Sequence, residues 1–413
     1  MSEGLQAVMQ RESTLLLQTY ERFPVLFKRG EGVYLYDESN RKYLDFLSGI
    51  GVNALGYAHP AITKTIAEQA ASLVHVSNLF YHEYQAQLAE LLTAKSGLDR
   101  AFFCNSGTEA WEGALKLARA YARHVANGAK PKTRLLVMEN SFHGRTFGSL
   151  ATTGQKKYRA PFAPLLPGVT FVRFNDVADL KKKFNDTVCA IGMETVQGEG
   201  GIRPVSQEFI AAARELTERA KAALILDEIQ CGLGRTGRYF AYQHYGVRPD
   251  IVTLAKPIAA GLPLGAILTT NEIAGSLHPG MHGTTFGGGP LACAVAVACM
   301  RELDSANLVQ HAAELGAYFR DRLTALQAKH AVIKEVRGLG LMIGVELTSD
   351  GLAKSIVAKM LERGIITNRT NNNVLRFLPP YLVTSEHVDQ VCSALDEVLS
   401  METAAHLQKD SHD

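Results

Sequence analysis

Between residues 60 and 305 the chain alternates short apolar runs with longer stretches in which apolar residues return every three or four positions. The runs RAFFCN, RLLVME, VTFVRF, VCAIGME, ALILDE, IVTLA and GAILTT predict seven strands. Most are apolar on both faces, so their sheet must be covered by helices above and below, the habit of parallel strands. Stretches such as AITKTIAEQAASLV and YQAQLAELLTAKS carry the helical period that supplies this cover.

The flanks read differently. Residues 1 to about 30 predict a polar helix leading into the extended segment FPVLFKRGEG, and GVYLYDESNRKYLDFLSG is two alternating runs around a polar turn, a hairpin signal. After residue 305 a long helix, two strands in VIKEVRGLGLMIGVELT, a further helix, the segment NVLRFLPP and a last helix follow. The prediction is an α/β chain: a large unit, residues 60–305, holding the mainly parallel seven-stranded sheet, and a smaller α+β unit in which residues 1–59 and 306–413 pack together. No repeat or low-complexity linker separates the two.

Composition narrows the function classes. The 413 residues are 46% hydrophobic and 20% charged, with a net charge of +2, which gives no footing for nucleic acid or an anionic membrane as a partner. The densest basic cluster, Lys181 to Lys183, reads as a solvated helix face. Six cysteines lie mostly in apolar runs with no CxxC pair and no metal-ligand spacing, as expected of buried thiols in a reducing compartment. The N-terminus is too polar for a signal peptide and no apolar run reaches spanning length, so a cytoplasmic protein is expected.

Against this background TLAKPIAAGLPLGA stands out, because Lys256 is its one charge. An ammonium among apolar and turn-forming residues is expensive unless the chain needs an amine in a dry place. Two other features fall at strand ends of the same sheet. Ser106-Gly107-Thr108 lies between the strand RAFFCN and a helix, where free backbone N–H groups and the helix dipole favour an anion. Asp227 and Glu228 directly follow the strand ALIL, at the edge where open α/β sheets bind ligands. A plainer reading is open for each: Thr108 with the acidic first turn caps a helix, and the two acids are a cap or solvated loop residues. Together, an anion cup, an acid and a lysine are what pyridoxal phosphate requires, to hold its phosphate, keep its ring nitrogen protonated and form a Schiff base. GLGRTG, Gly232 to Gly237, nominally fits a dinucleotide fingerprint but lacks the following apolar helix and distal acid; it reads as a flexible loop.

NSGTEAWEGALKLAR, SFHGRTFGSLATTG, ETVQGEGG, LILDEIQCGLGRTGRYFAYQHYGVRPDI, LAKPIAAGLPLGA and HGTTFGGGPLACAVA, in this order, resemble the class III (subgroup II) aminotransferases of pyridoxal-phosphate fold type I. The resemblance runs from FPVLFKRGEG to LRFLPPYLV, nearly the whole chain. It implies that Lys256 forms the Schiff base, that Gly107 and Thr108 with Ser106 hold the phosphate, and that Phe142 stacks on the ring. It further implies that Asp227, with Glu228 beside it, serves the ring nitrogen and Gln230 the ring hydroxyl. Thr285 would reach the phosphate of a second subunit, which implies a homodimer with shared active sites, and Thr284 would touch substrate.

Two arginines bear on the substrate. The resemblance makes Arg145 the group for a carboxylate distal to the reacting amine, Arg376 the group for the α-carboxylate of glutamate, and Glu199 the gate that covers Arg376 when an ω-amine enters. Ile50 stands where ornithine-specific members usually carry tyrosine, which argues for an acylated amine or 4-aminobutyrate. Tyr57 and Gly289 depart from the usual His and Asn and touch no chemistry in this reading. The expected reaction is transfer of the δ-amine of N2-acetyl-L-ornithine to 2-oxoglutarate, with no metal. Other ω-amines of the class (succinylornithine, 4-aminobutyrate, ornithine, carrier-bound aminoadipate semialdehyde) are the alternatives, and racemase or aminomutase chemistry on the same scaffold is a further one.

Overall fold

All seven apolar runs are strands: β1 Arg100–Cys104, β2 Arg134–Met138, β3 Val169–Val172, β4 Val188–Glu194, β5 Ala223–Asp227, β6 Ile251–Leu254 and β7 Gly265–Thr269. The computed structural model that shows this describes residues 2–410, with side chains through residue 402. The strands form one sheet in the order β1-β7-β6-β5-β4-β2-β3. β5 pairs in parallel with β4 and β6, and β2 with β3 and β4. β7 alone runs against its neighbours, pairing antiparallel with β6 and β1. Its sequence carries no sign of direction, because a strand covered on both faces is apolar either way.

The pleat divides the core in two. Along β5, Ala223 and Ile225 face one apolar layer and Leu224 and Leu226 the other. The first layer is capped by the helix Gly107–Ala126, whose Ala110, Ala114, Ala118 and Ala122 lie on its buried side and bring it close to the sheet. Ser106 is the N-cap of this helix, its Oγ accepting the Glu109 N–H at 3.3 Å, so the cap falls two residues before Thr108. The helix ends at Asn127 in the left-handed conformation, φ 43°, a common stop for a helix. The second layer packs against Pro290–Ser305, which also touches the helices Pro60–Ser72 and Glu83–Ser96.

Besides a two-stranded ribbon, Val196–Gln197 with Arg203–Pro204, two four-stranded sheets accompany the large one among the described residues. Strands β8 Ile333–Leu339, β9 Met342–Leu347, β10 Asn368–Thr370 and β11 Val374–Phe377 pair antiparallel in the order β8-β9-β11-β10. The second joins Phe27–Glu31, Tyr34–Asp37 and Lys42–Asp45 to Ile365–Ile366, so the hairpin read from the N-terminal sequence is extended by a strand near the other end of the chain.

GLGRTG is not the flexible loop its glycines suggested. Residues 232 to 236 are buried, and Arg235 is fully so. Arg235 NH1 donates to the carbonyls of Leu341 (3.2 Å) and Pro379 (2.5 Å), and Tyr381 OH donates to the Leu233 carbonyl at 3.0 Å. Gly237 has φ 84°, and a Cβ there would lie 2.6 Å from that of Ala313. The glycines allow close packing instead of motion. All six cysteines are buried free thiols, and among the described residues no helix is long and apolar enough to cross a membrane.

Candidate active site

A cavity of about 430 Å³ opens at the carboxyl ends of β4, β5 and β6. Ser106, Gly107, Thr108, Phe142, Arg145, Glu199, Asp227, Gln230 and Lys256 all line it. Lys256 follows β6 and opens a short helical turn with Pro257. Its backbone lies in the left-handed region, φ 47°, which costs a non-glycine residue on the order of 1 kcal/mol. Such strain is tolerated where the surroundings fix it, and here it holds the amine at a set position in the cavity. Burial pushes the proton affinity of the Lys256 amine below its ordinary value, and the carboxylates of Asp227 and Glu199 pull partly in the other direction.

One end of the cavity is built for an anion. The Gly107 and Thr108 N–H groups open the helix behind the Ser106 cap and have no acceptor within the helix itself. A Cβ on Gly144, whose φ is 131°, would lie 2.2 Å from Thr108 Oγ1, so glycine is required there, and Gly107 packs closely on Ile229, where a Cβ would lie 2.9 Å from its Cδ1. The acids of the first helical turns are already engaged: Glu109 accepts from Asn105, and Glu112 accepts from Gly148 N and Ser149 N.

Asp227 lines the same cavity. It shares strand parity with Ala223 and Ile225, which places it on the side of Trp111, and it is 3% exposed. Its Oδ2 lies 2.6 Å from His143 Nδ1, and its Oδ1 accepts from Ile229 N at 3.1 Å and Thr253 Oγ1 at 3.3 Å. His143 is stacked flat on Trp111, ring centroids 3.7 Å apart at 4°. Glu228 has the other parity. Its oxygens accept from Thr195 Oγ1, Ala241 N and Tyr242 N inside the core, it does not line the cavity, and burial raises its pKa to about 7. The acid on the neighbouring strand, Glu194, does line the cavity; burial, with Asp227 nearby, raises it to about 8.

At the mouth, Arg145 is exposed and stacks on Tyr158, its Cζ 4.1 Å from the ring centroid. Arg376, 2% exposed on β11, does not itself line the cavity; it donates from NH1 to the lining residue Glu199 at Oε1 (2.5 Å) and from Nε to Asn368 Oδ1 at 3.1 Å. Burial works to raise the pKa of Glu199, but the Arg376 guanidinium prevails and holds the carboxyl below its ordinary value. Thr284 and Thr285 are not brought to this cavity. Thr284 lines a separate one with Phe102 and His282, and Thr285 is exposed.

These residues fit pyridoxal 5'-phosphate. An anion cup, a desolvated lysine, a buried acid and the aromatic Phe142 share one cavity, and the buried Gln230 Oε1 has no hydrogen-bond partner among the described residues, leaving it for a ring substituent. Sequence reasoning missed His143, Trp111 and Glu194. His143 sits between the flagged Phe142 and Arg145 in FHGR, and Trp111 is the one tryptophan of the chain, but neither has a spacing that reveals its partner.

The chain matches the family model for class-III aminotransferases over residues 17–399 and belongs to that family; it is a pyridoxal-phosphate-dependent aminotransferase. Among its relatives, the acetylornithine aminotransferase of Methanocaldococcus jannaschii is 49% identical across 93% of this chain and 96% of its own. Two solved structures are close in shape. The ornithine aminotransferase of Toxoplasma gondii, described with partial occupancy of pyridoxal phosphate at its active site, has a TM-score of 0.92 at 33% identity, covering 96% of this chain and 94% of that one. The acetylornithine aminotransferase of Elizabethkingia anophelis has a TM-score of 0.85 at 30% identity, covering 96% and 99%.

Proposed function

We propose that this enzyme transfers the δ-amino group of N2-acetyl-L-ornithine to 2-oxoglutarate, giving N-acetyl-L-glutamate 5-semialdehyde and L-glutamate, a step of arginine biosynthesis. The observation that carries the reading is the contrast between two arginines: Arg376 is covered by Glu199, and Arg145 pairs with no carboxylate among the described residues. One free cation and one covered one suit an amine that bears a carboxylate far from its reacting end and none beside it. The names of relatives such as the 49% identical Methanocaldococcus enzyme support the acetylated substrate.

Bound pyridoxal phosphate supplies an aldehyde that takes up the amino group and a ring that draws electrons from the reacting carbon. Ser106, Gly107 and Thr108 would hold its phosphate, Phe142 its ring face and Gln230 its ring hydroxyl. Asp227 would hold a proton on the ring nitrogen, oriented by His143. Lys256 would carry the group between turnovers. Its Nζ, when free, would take the proton from the reacting carbon of the amine in the first half-reaction and give one to the reacting carbon of 2-oxoglutarate in the second, and its lowered proton affinity suits that base role. Arg145 takes the α-carboxylate of acetylornithine in the first half-reaction and the distal carboxylate of 2-oxoglutarate in the second, by bidentate pairing. Glu199 covers Arg376 in the first half and leaves it in the second.

We further propose that residues 60–305 form the cofactor-binding domain and that residues 1–59 with 306–413 form the small one, a division supported by the pairing of Ile365–Ile366 with Lys42–Asp45. A homodimer is supported by the exposed apolar side chains Leu79, Phe80, Tyr81, Met281 and Phe286, which lie near the exposed Thr285 on a face a second copy would cover. A cytoplasmic location suits the six buried free thiols.

Mixing the holoenzyme separately with N2-acetylornithine, succinylornithine, ornithine and 4-aminobutyrate, without keto acid, tests the substrate. The visible cofactor band should fade fastest with acetylornithine and return on addition of 2-oxoglutarate. Faster fading with another amine would reassign the substrate, and fading that 2-oxoglutarate cannot reverse would remove the second half-reaction.

A further inference from the structure

Of the acids that line the cavity, Glu194 is the one to which the transfer chemistry gives no task. It ends β4, and the strand register sets it directly beside Asp227. It is 6% exposed, yet its two oxygens serve two different loops. Oε2 accepts the Phe142 N–H at 3.1 Å, and Oε1 accepts the Gly198 N–H at 3.1 Å. Phe142 heads the segment that carries His143 and Arg145, and Gly198 immediately precedes Glu199. With both oxygens engaged by backbone N–H groups, Glu194 ties the two loops together.

The segment after Gly198 is held from the other side as well. Thr370 Oγ1 donates to the carbonyls of Gly198 (3.3 Å) and Glu199 (3.1 Å), and Gln155 Nε2 donates to the Glu199 carbonyl at 3.3 Å. Arg337 Nε donates to the Gly201 carbonyl at 2.8 Å. The backbone at Gly198 also packs closely on the Gln230 side chain, since a Cβ there would lie 2.2 Å from Gln230 Oε1. The backbone from 198 to 201 is therefore fixed by four side chains, whereas the Glu199 carboxylate rests on Arg376 and on one long contact, 3.4 Å, from Thr370.

We propose that Glu194 is a positioning residue that locks the ring-stacking loop and the gate loop to a single carboxyl group, so that Glu199 uncovers Arg376 by turning its side chain over a stationary backbone. The inference rests on Glu199 being the gate. Glu194→Gln keeps the shape but turns an NH₂ toward one of the two N–H donors, which leaves a buried donor pair unsatisfied.

The test measures amide hydrogen exchange and the two half-reactions in the Glu194→Gln holoenzyme. Exchange at Phe142 and at Gly198 should each accelerate at least tenfold while the β4 amides stay protected. The ratio of second-order rate constants for 2-oxoglutarate and for the amine should shift at least fivefold. Unchanged exchange, loosening of one loop only, or uniform loosening with an unchanged ratio would overturn the proposal. Glu199→Gln separates the two claims: an unchanged half-reaction ratio there defeats the gate reading and the side-chain turn with it. If Glu194→Gln fails to fold, Thr370→Val removes the opposing bonds, and its half-reaction ratio should shift at least threefold; an unchanged ratio again overturns the proposal.

Discussion

His143 Nδ1 lies 2.6 Å from Asp227 Oδ2, and the imidazole that makes this bond is clamped flat against Trp111. Asp227 thus has its outer oxygen fixed by a side chain that is itself held by an aromatic stack, while Thr253 and Ile229 hold the other oxygen. A carboxylate restrained this way presents one geometry to whatever binds in front of it. His143→Phe keeps a ring on Trp111 and removes the bond. Turnover should fall roughly 10- to 100-fold, the scale seen when an orienting partner of a ligating group is lost. Steady-state kinetics of the variant checks this.

Trp111 has a structural share in the same arrangement. It is fully buried, and its Nε1 donates to Thr152 Oγ1 at 2.8 Å. Trp111→Ala should cost roughly 3–5 kcal/mol of stability by opening a core cavity and freeing the imidazole. Urea denaturation of the variant measures this.

Arg145 is expected to serve both half-reactions and Glu199 only one. Arg145→Gln should lower kcat/KM for acetylornithine and for 2-oxoglutarate alike, each by roughly 100-fold, as expected for loss of a charge-paired carboxylate contact. Glu199→Ala should uncover Arg376 permanently. The amine half-reaction should then slow and reaction with α-amino acids should rise, a divergence that single-turnover kinetics resolves.

Glu228 predicts a pH trend in stability. Burial raises its folded pKa to about 7 from the ordinary 4.5, so the folded chain holds that proton more tightly than the unfolded chain. Its contribution is fully present below pH 4.5 and is lost as pH rises through about 7. Glu194, raised to about 8, acts with the same sign up to a higher pH. Between pH 5 and 7 the melting temperature of the wild type should therefore carry a downward component that Glu228→Gln flattens, even though that variant is less stable throughout. A parallel slope in the two proteins would contradict the assignment.

The large sheet was legible because each strand is a bounded apolar run, and the residues that follow such runs, Asp227 and Lys256, stood out as polar groups in dry places. What the runs hide is direction and side. Nothing in GAILTT marks β7 as antiparallel. Asp227 and Glu228 are adjacent acids in the sequence, yet the pleat turns one to the cavity and the other into the core. His143 escaped notice because its meaning comes from Trp111 and Asp227, which are 32 and 84 positions away and come together only in the fold. Thr285 was marked by resemblance, but a single chain leaves it exposed. GLGRTG was misjudged because glycine signals conformational freedom in a sequence, and here that freedom serves close packing around Arg235.

The central claim is that Lys256 is the amine to which the cofactor is joined. Borohydride reduction of the holoenzyme, followed by proteolysis and peptide mass analysis, tests it directly. The account predicts a pyridoxyl phosphate adduct on the peptide bearing Lys256 and none in a Lys256→Ala variant. An adduct on another lysine, or reduction that attaches nothing, would contradict it.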